Sequence, residues 1–263
     1  MGGSAHNGEV TSPDPLAGFS APTRAWFEGA FERPTAAQAG AWEAIGSDRH
    51  ALVVAPTGSG KTLAAFLWSL DRLLTHPDEQ PPGGPAPRQG DDRAQRCRIL
   101  YVSPLKALAA DVERNLRSPL AGIRQAAVRL GTTVPDVVVG TRTGDTPASE
   151  RRRFGVAPPD ILITTPESLF LVLTSQARAG LAGVQTVIID EIHAVAGTKR
   201  GAHLAVSLER LDALLPVPAQ RVGLSATVRP VEAVATFLAG HRRPDDQGRE
   251  VVVVQPPSEK KIE

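Results

Sequence analysis

The stretch from residue 51 to residue 68 constrains the fold of this chain more than any other. A short apolar run (51–54) leads into Ala55-Pro56-Thr57-Gly58-Ser59-Gly60-Lys61-Thr62. The following Leu63-Ala64-Ala65-Phe66-Leu67-Trp68 reads as a helix. Strand, glycine loop and helix in that order form a phosphate-holding device. The glycines let consecutive backbone N–H groups turn inward around an anion, and the helix N-terminus adds roughly half a positive charge. Lys61 would then reach the β- and γ-phosphates of a nucleoside triphosphate, and the Thr62 hydroxyl would ligate Mg²⁺. Ala55 stands where the usual pattern has its leading glycine. The plainer alternative is a Gly/Ser turn capping an ordinary helix. It is set aside because Gly-Lys-Thr sits between a strand and a helix, as phosphate binding requires.

Composition narrows the class. The 263 residues suffice for one large domain or two small ones, and 41% are hydrophobic, enough for a sizeable core. No apolar run approaches the ~18–20 residues of a membrane span. The N-terminus lacks the basic-then-apolar order of a signal peptide. Cys97 is the only cysteine, which excludes an internal disulfide and a cysteine-based metal cluster. Together these favour the cytoplasm. A net charge of +1 neither supports nor opposes nucleic acid, because phosphate binding needs clustered charge.

Along the chain, residues 1–15 are polar and rich in Gly and Pro, and are expected to form a disordered tail. Two helical patterns span 22–45 and divide near Arg33-Pro34. Thr35 has the character of an N-cap, with Gln38 completing a capping box. The helix after the phosphate loop runs to about residue 75. Residues 76–97 follow as a proline-rich surface insertion, longer than usual for a structureless loop. Apolar runs then alternate with helical patterns: 99–102 before 105–116, 137–139 before a loop, and 161–164 before 167–176. The run 187–189 precedes an acidic turn and a helix over 202–215, 221–224 precedes a helix over 230–238, and 251–254 forms a last strand. Such alternation predicts an α/β fold, a mostly parallel sheet with helices on both faces. Ligands in such sheets bind at the carboxyl ends of the strands, where each motif here lies.

Asp190-Glu191-Ile192-His193 follows one of these runs directly. A carboxylate at the end of a buried strand suits Asp190 to hold Mg²⁺ through water. Glu191, one residue on, is placed to take a proton from an attacking water. An acidic pair there could also serve as a helix cap, and the lone His193 could be structural. Ser225-Ala226-Thr227 ends the next strand pattern and by spacing alone could be a helix N-cap.

Seven segments taken in order carry a resemblance. They are Gln38, APTGSGKT (55–62), PLKALAAD (104–111), TRTGDTP (141–147), TTPESL (164–169), DEIH (190–193) and SAT (225–227). The set resembles the first RecA-like lobe of a superfamily-two DEAD/DEAH-type helicase. TRTGDTP, DEIH and residues 197–204 resemble the Lhr, or large helicase-related, group. The likeness covers residues 16–255, leaving 256–263 as the start of a linker to a second lobe.

The resemblance implies a RecA-like P-loop NTPase fold with ATP and Mg²⁺ as cofactors. Ala55 to Thr62 would hold phosphate, with Lys61, Asp190 and Glu191 catalytic and Thr62 and Asp190 holding the metal. Gln38 would read the adenine edge, whose donor and acceptor an amide complements, with Phe27 or Phe31 stacked on the base. His193, Ser225 and Thr227 would couple nucleotide state to strand grip. Pro104 and Lys106, Arg142, Thr143 and Gly144, and Thr165, Pro166 and Glu167 would grip a single strand by its phosphates, DNA ahead of RNA. His203 is expected to pack or cap locally, and Arg151 to Arg153 to form a solvated helix face. The family's ATP is hydrolysed between two such lobes, the second supplying an arginine finger. The chain is therefore expected to be one lobe of an Lhr-like ATP-dependent helicase, weak or inactive alone. The alternatives are a nucleotide-dependent binding module without turnover and an RNA helicase.

Overall fold

A computed structural model of the chain describes residues 14–75, 96–241 and 249–257. Seven strands form one sheet: β1 (His50–Val54), β2 (Ile99–Val102), β3 (Val139–Arg142), β4 (Ile161–Thr164), β5 (Thr186–Ile189), β6 (Gln220–Ser225) and β7 (Val251–Val254). Their spatial order is β3-β4-β2-β5-β6-β1-β7, and every pairing is parallel. The five inner strands are buried at every position, while β3 and β7 at the edges are half-buried. Burial on both faces explains why the inner strands read as continuous apolar runs.

Alternation along the strands separates two cores. Leu52, Val54, Leu100, Val102, Val187 and Ile189 face one side, where α6 (Pro166–Leu173), α7 (Lys199–Leu214) and α8 (Val231–Ala239) pack. Ala51, Val53, Ile99, Tyr101, Ile188 and Leu224 face the other, covered by α2 (Ala36–Gly46), α3 (Lys61–Thr75) and α4 (Lys106–Arg129). A satellite core of Phe19, Phe27, Trp42, Leu67 and Ile123 ties α1 (Ala21–Ala30) to the second layer. Among the described residues no helix is long and apolar enough to cross a membrane.

Several expectations need correction. The helix predicted over 105–116 is α4, which continues through Pro119 to Arg129. Its buried stripe of Val112, Leu116, Ile123 and Ala127 keeps a helical spacing beyond the proline, and Trp26 of α1 lies against Gly122. That packing outweighs the ~3 kcal/mol penalty of an interior proline. The strand predicted over 137–139 is shifted to Val139–Arg142, because the Asp160 carboxylate takes the Val138 N–H at 2.6 Å. The loop expected after it contains α5 (Ala148–Val156), which buries only Phe154 and so shows little periodicity. The pattern over 167–176 ends earlier: α6 stops at Leu173 and a 3-10 turn covers Gln176–Leu181.

The polar tail lies outside the described residues up to 13, and Asp14 bonds the Leu16 N–H at 2.9 Å. Of the insertion over 76–97, residues 76–95 lie outside the described residues. Arg96 is fixed on Asp160 (Nε to Oδ1, 2.6 Å), and Cys97 is fully buried. Of the linker, residues 258–263 lie outside the described residues.

Candidate nucleotide site and strand-gripping edge

The carboxyl ends of β1, β6 and β5 are neighbours, and each carries one of the expected nucleotide elements. The Ala55 N–H bonds the Ser225 carbonyl at 3.1 Å, joining the phosphate loop to the end of β6. Within the loop, Gly58 (φ +85°) and Gly60 (φ +79°) occupy the left-handed region that lets the backbone curl. Lys61 opens α3 and is 8% exposed. Its ammonium donates to the carbonyls of Ala55 and of Pro56, the latter at 2.9 Å. Burial lowers its pKa, opposed in part by the nearby Glu191 and Asp190. Lys61 is thus a desolvated cation held by two neutral acceptors at the mouth of an amide-lined loop, with space in its chemistry for an anion.

The capping box predicted for α2 is present and doubles as a brace for the loop. Thr35 N–H donates to Gln38 Oε1 (2.9 Å), Gln38 N–H donates to Thr35 Oγ1 (3.2 Å), and that hydroxyl donates to the Ser59 carbonyl (3.1 Å). The Gln38 amide lies directly over Gly60, where an added Cβ would sit 2.5 Å from Nε2. Of the two aromatic candidates upstream, Phe27 is 1% exposed and built into the satellite core against Trp42. Phe31 is 41% exposed. Phe31 packs on Phe27 (4.8 Å between centroids) and Trp26 (5.9 Å), yet of the two it alone keeps exposed ring surface.

Alternation places Asp190 on the α3 side of the sheet, two residues beyond Ile188. It is buried, and Oδ1 accepts the Glu191 N–H (3.0 Å) while Oδ2 accepts the Tyr101 hydroxyl (2.5 Å). Glu191, the next residue, has a left-handed backbone (φ 42°, ψ 44°) that ends the strand's alternation. Its Oε2 lies 3.3 Å from His193 Nδ1, which lies 3.0 Å from Ser225 Oγ, whose hydroxyl donates to the Thr227 carbonyl at 3.1 Å. The three expected coupling positions therefore form one line of polar contacts that begins at Glu191.

The donor chemistry fits Mg²⁺. A hydroxyl at Thr62 and a carboxylate with a lone pair left on each oxygen are hard donors. Among the described residues no group of three His, Cys, Asp or Glu forms a protein-only metal cage. Few protein ligands, with water and phosphate supplying the rest, is the usual arrangement for this ion.

The other expected residues lie on the neighbouring half of the same edge, β3-β4-β2. Pro104 follows β2 and is buried, and Lys106 is the first residue of α4. Thr165 N-caps α6, its hydroxyl bonding Ser168, and Pro166 is the first helical residue. Glu167 forms a two-point ion pair with Arg200 (Nη2 to Oε2, 2.9 Å), which holds its carboxyl below the usual range. The turn after β3 is closed by the Thr143 N–H on Thr146 Oγ1 (2.8 Å), leaving Gly144 exposed. The Arg142 guanidinium lies over the Phe154 ring (5.4 Å) rather than along the edge, and its Nη1 is buried without a partner. Burial lowers its pKa, with Arg151 adding to the effect. Arg151 to Arg153 lie on an exposed face of α5 as expected, yet Arg151 Nε also holds the Thr146 carbonyl (2.7 Å). His203 packs on Phe170 (4.6 Å between centroids), as expected.

Sequence reasoning missed two partners. Arg200 is invisible as the counter-ion of Glu167 because the residues are 33 apart in sequence. Tyr101, the chain's single tyrosine, read only as part of an apolar strand.

Residues 35–234 match the family model of the DEAD/DEAH box helicases. The Lhr helicase/probable uracil glycosylase of Mycolicibacterium smegmatis is 62% identical over 227 residues, 86% of this chain and 14% of that protein. The Lhr helicase/uracil glycosylase of Escherichia coli is 58% identical over 240 residues, 91% of this chain and 15% of that protein. The structure of Mycobacterium smegmatis helicase Lhr bound to ssDNA and AMP-PNP matches with a TM-score of 0.81 at 58% identity. That match covers 93% of this chain and 28% of the solved one. This chain thus spans about one seventh of the length of those two relatives. The likeness bears out the RecA-like fold expected from the sequence.

Proposed function

This chain belongs to the DEAD/DEAH box helicase family, and we propose that it is the ATP-binding lobe of an Lhr-like helicase that moves along single-stranded DNA. One observation carries the reading: the β5-β6-β1 half of the sheet edge gathers the nucleotide motifs, and the adjoining β3-β4-β2 half gathers the strand-gripping ones. An ssDNA- and AMP-PNP-bound relative at 58% identity supports DNA as the strand and ATP as the nucleotide. The cytoplasm is the compartment proposed.

In this reading the amides of residues 55–62 surround the phosphates, and Lys61 exchanges two loop carbonyls for phosphate oxygens. An anion is a stronger partner than a carbonyl for a desolvated ammonium. Gln38 reads adenine while Phe31 stacks on it. Thr62 and Asp190 would hold Mg²⁺, which would supply positive charge against the triphosphate. Glu191 takes the proton of the attacking water, aimed by its left-handed backbone and by His193. Loss of phosphate removes a partner from this end of the line, and His193, Ser225 and Thr227 pass that change on. Turnover needs a second lobe to close over the γ-phosphate with its arginine finger. Lys106, Thr143 and Gly144 meet the strand's phosphates, with the buried Pro104, Thr165 and Pro166 setting the loops and Arg142 and Glu167 bracing the track.

The test is titration of a fluorescent ATP analogue with Mg²⁺ into the 263-residue chain. Lys61→Ala should abolish binding and Glu191→Gln should preserve it. Undiminished affinity in Lys61→Ala would refute the nucleotide site.

A further inference from the structure

Resting on the nucleotide site proposed above, the geometry points to Tyr101 as the positioning residue for Asp190, acting through its phenol hydrogen bond to set the metal-holding carboxylate. Tyr101 lies beside Ile188 in the β2–β5 register, on the face that carries α3. Two residues on, Asp190 points to the same face, and the long phenol reaches it at 2.5 Å. The ring itself has no freedom. It is fully buried and stacked on Phe66 of α3, with centroids 5.1 Å apart and planes inclined by 20°.

A buried tyrosine hydroxyl needs an acceptor, so a bond by itself signifies little. What sets this one apart is its acceptor and its symmetry with the second donor. The Glu191 N–H fixes Oδ1 and the phenol fixes Oδ2, so both torsions of the Asp190 side chain are defined. Each oxygen keeps one lone pair for the metal shell. Phe66 is five residues beyond Lys61 on the same helix, so one ring joins the phosphate-loop helix to the acidic strand end. Partners of metal-holding groups change metal affinity by about 10–100-fold when removed.

Tyr101→Phe keeps the ring and removes only the hydroxyl. In titrations of a fluorescent ATP analogue at a series of Mg²⁺ concentrations, the midpoint in Mg²⁺ should rise by about ten-fold. Affinity in EDTA should stay within about two-fold of wild type, which a general loss of packing would not allow. An unchanged midpoint, or an equal loss with and without Mg²⁺, would overturn the proposal. Wild type failing to bind nucleotide would instead overturn the site on which it rests. Because Tyr101 is the only tyrosine, ring-carbon NMR of isotope-labelled tyrosine reads it alone in the wild-type chain. Its signal should move on adding Mg-ATP and not on adding ATP in EDTA. Absence of that Mg²⁺-dependent shift would overturn the proposal even if the phenylalanine variant did not fold.

Discussion

Substituting Gly60 with alanine tests how the phosphate loop is tied to the helix before it. Gly60 and Gly58 both sit at positive φ, +79° and +85°, so alanine at either costs about 1–2 kcal/mol in backbone conformation. Their surroundings differ. A Cβ at position 58 meets nothing within 4 Å, whereas one at position 60 lies 2.5 Å from Gln38 Nε2. Reaching an ordinary contact of 3.4 Å requires the amide to move about 0.9 Å (3.4 minus 2.5). Gln38 Oε1 is held at 2.9 Å by the Thr35 N–H, so that movement breaks half of the capping box. Loss of such a cap costs about 1 kcal/mol. Gly60→Ala should therefore destabilise by about 2–3 kcal/mol and Gly58→Ala by about 1–2 kcal/mol. Urea unfolding followed by tryptophan fluorescence measures both. In a Gln38→Ala background the cost of Gly60→Ala should fall to that of Gly58→Ala, a coupling of about 1 kcal/mol. Equal single-variant costs, or full additivity with Gln38→Ala, would refute the reasoning.

Two further outcomes concern the sheet's support. His50 accepts the Arg221 N–H at 2.9 Å, and burial first, then Arg221 and Arg249, lower its pKa from 6.5 to about 3. The folded protein keeps it neutral while the unfolded chain gains a proton below pH 6.5. Its contribution is therefore full above pH 6.5 and lost as pH falls toward 3, the loss reaching about 2 kcal/mol at pH 5. His50→Asn should remove that part of the slope, and identical pH profiles of urea midpoint would count against it. Arg221 is buried and bonds Asp212 (2.7 Å), Glu209 (3.2 Å) and the Leu238 carbonyl (3.1 Å). Arg221→Met strands the buried Asp212 and should cost about 3–5 kcal/mol, and a loss under 1 kcal/mol in urea unfolding would contradict this account.

Elements whose signals are local were legible from the residues. β2 and β4 fall on the predicted residues because each is a buried run bounded by polar turns. The Thr35–Gln38 box is readable because both partners lie within one turn. Elements that depend on distant partners were not. The second half of α4 survives its proline through packing on α1, and α5 shows one buried residue and no stripe. The left-handed backbone of Glu191 has no sequence signature, since glutamate has no preference for that region.

The same division runs through the site. Residue types and local spacing marked the phosphate loop, the acidic strand end and the strand-gripping segments, because each is a few consecutive residues after a strand. In the chain the strand-gripping segments (104–106, 142–144, 165–167) stand between the first nucleotide segment (55–62) and the other two (190–193, 225–227). Strand order sorts them. The crossover from β1 to β2 passes over β6 and β5, so the expected nucleotide elements collect at β5-β6-β1 and the expected strand-gripping ones at β3-β4-β2. Hydrogen bonding between strands far apart in sequence makes that arrangement, and it alone joins Tyr101 to Asp190 and His193 to Ser225. The sequence by itself determined which motifs the chain carries and that each follows a strand. The tertiary structure decided which groups act on one another, because contact across a sheet depends on register and strand order.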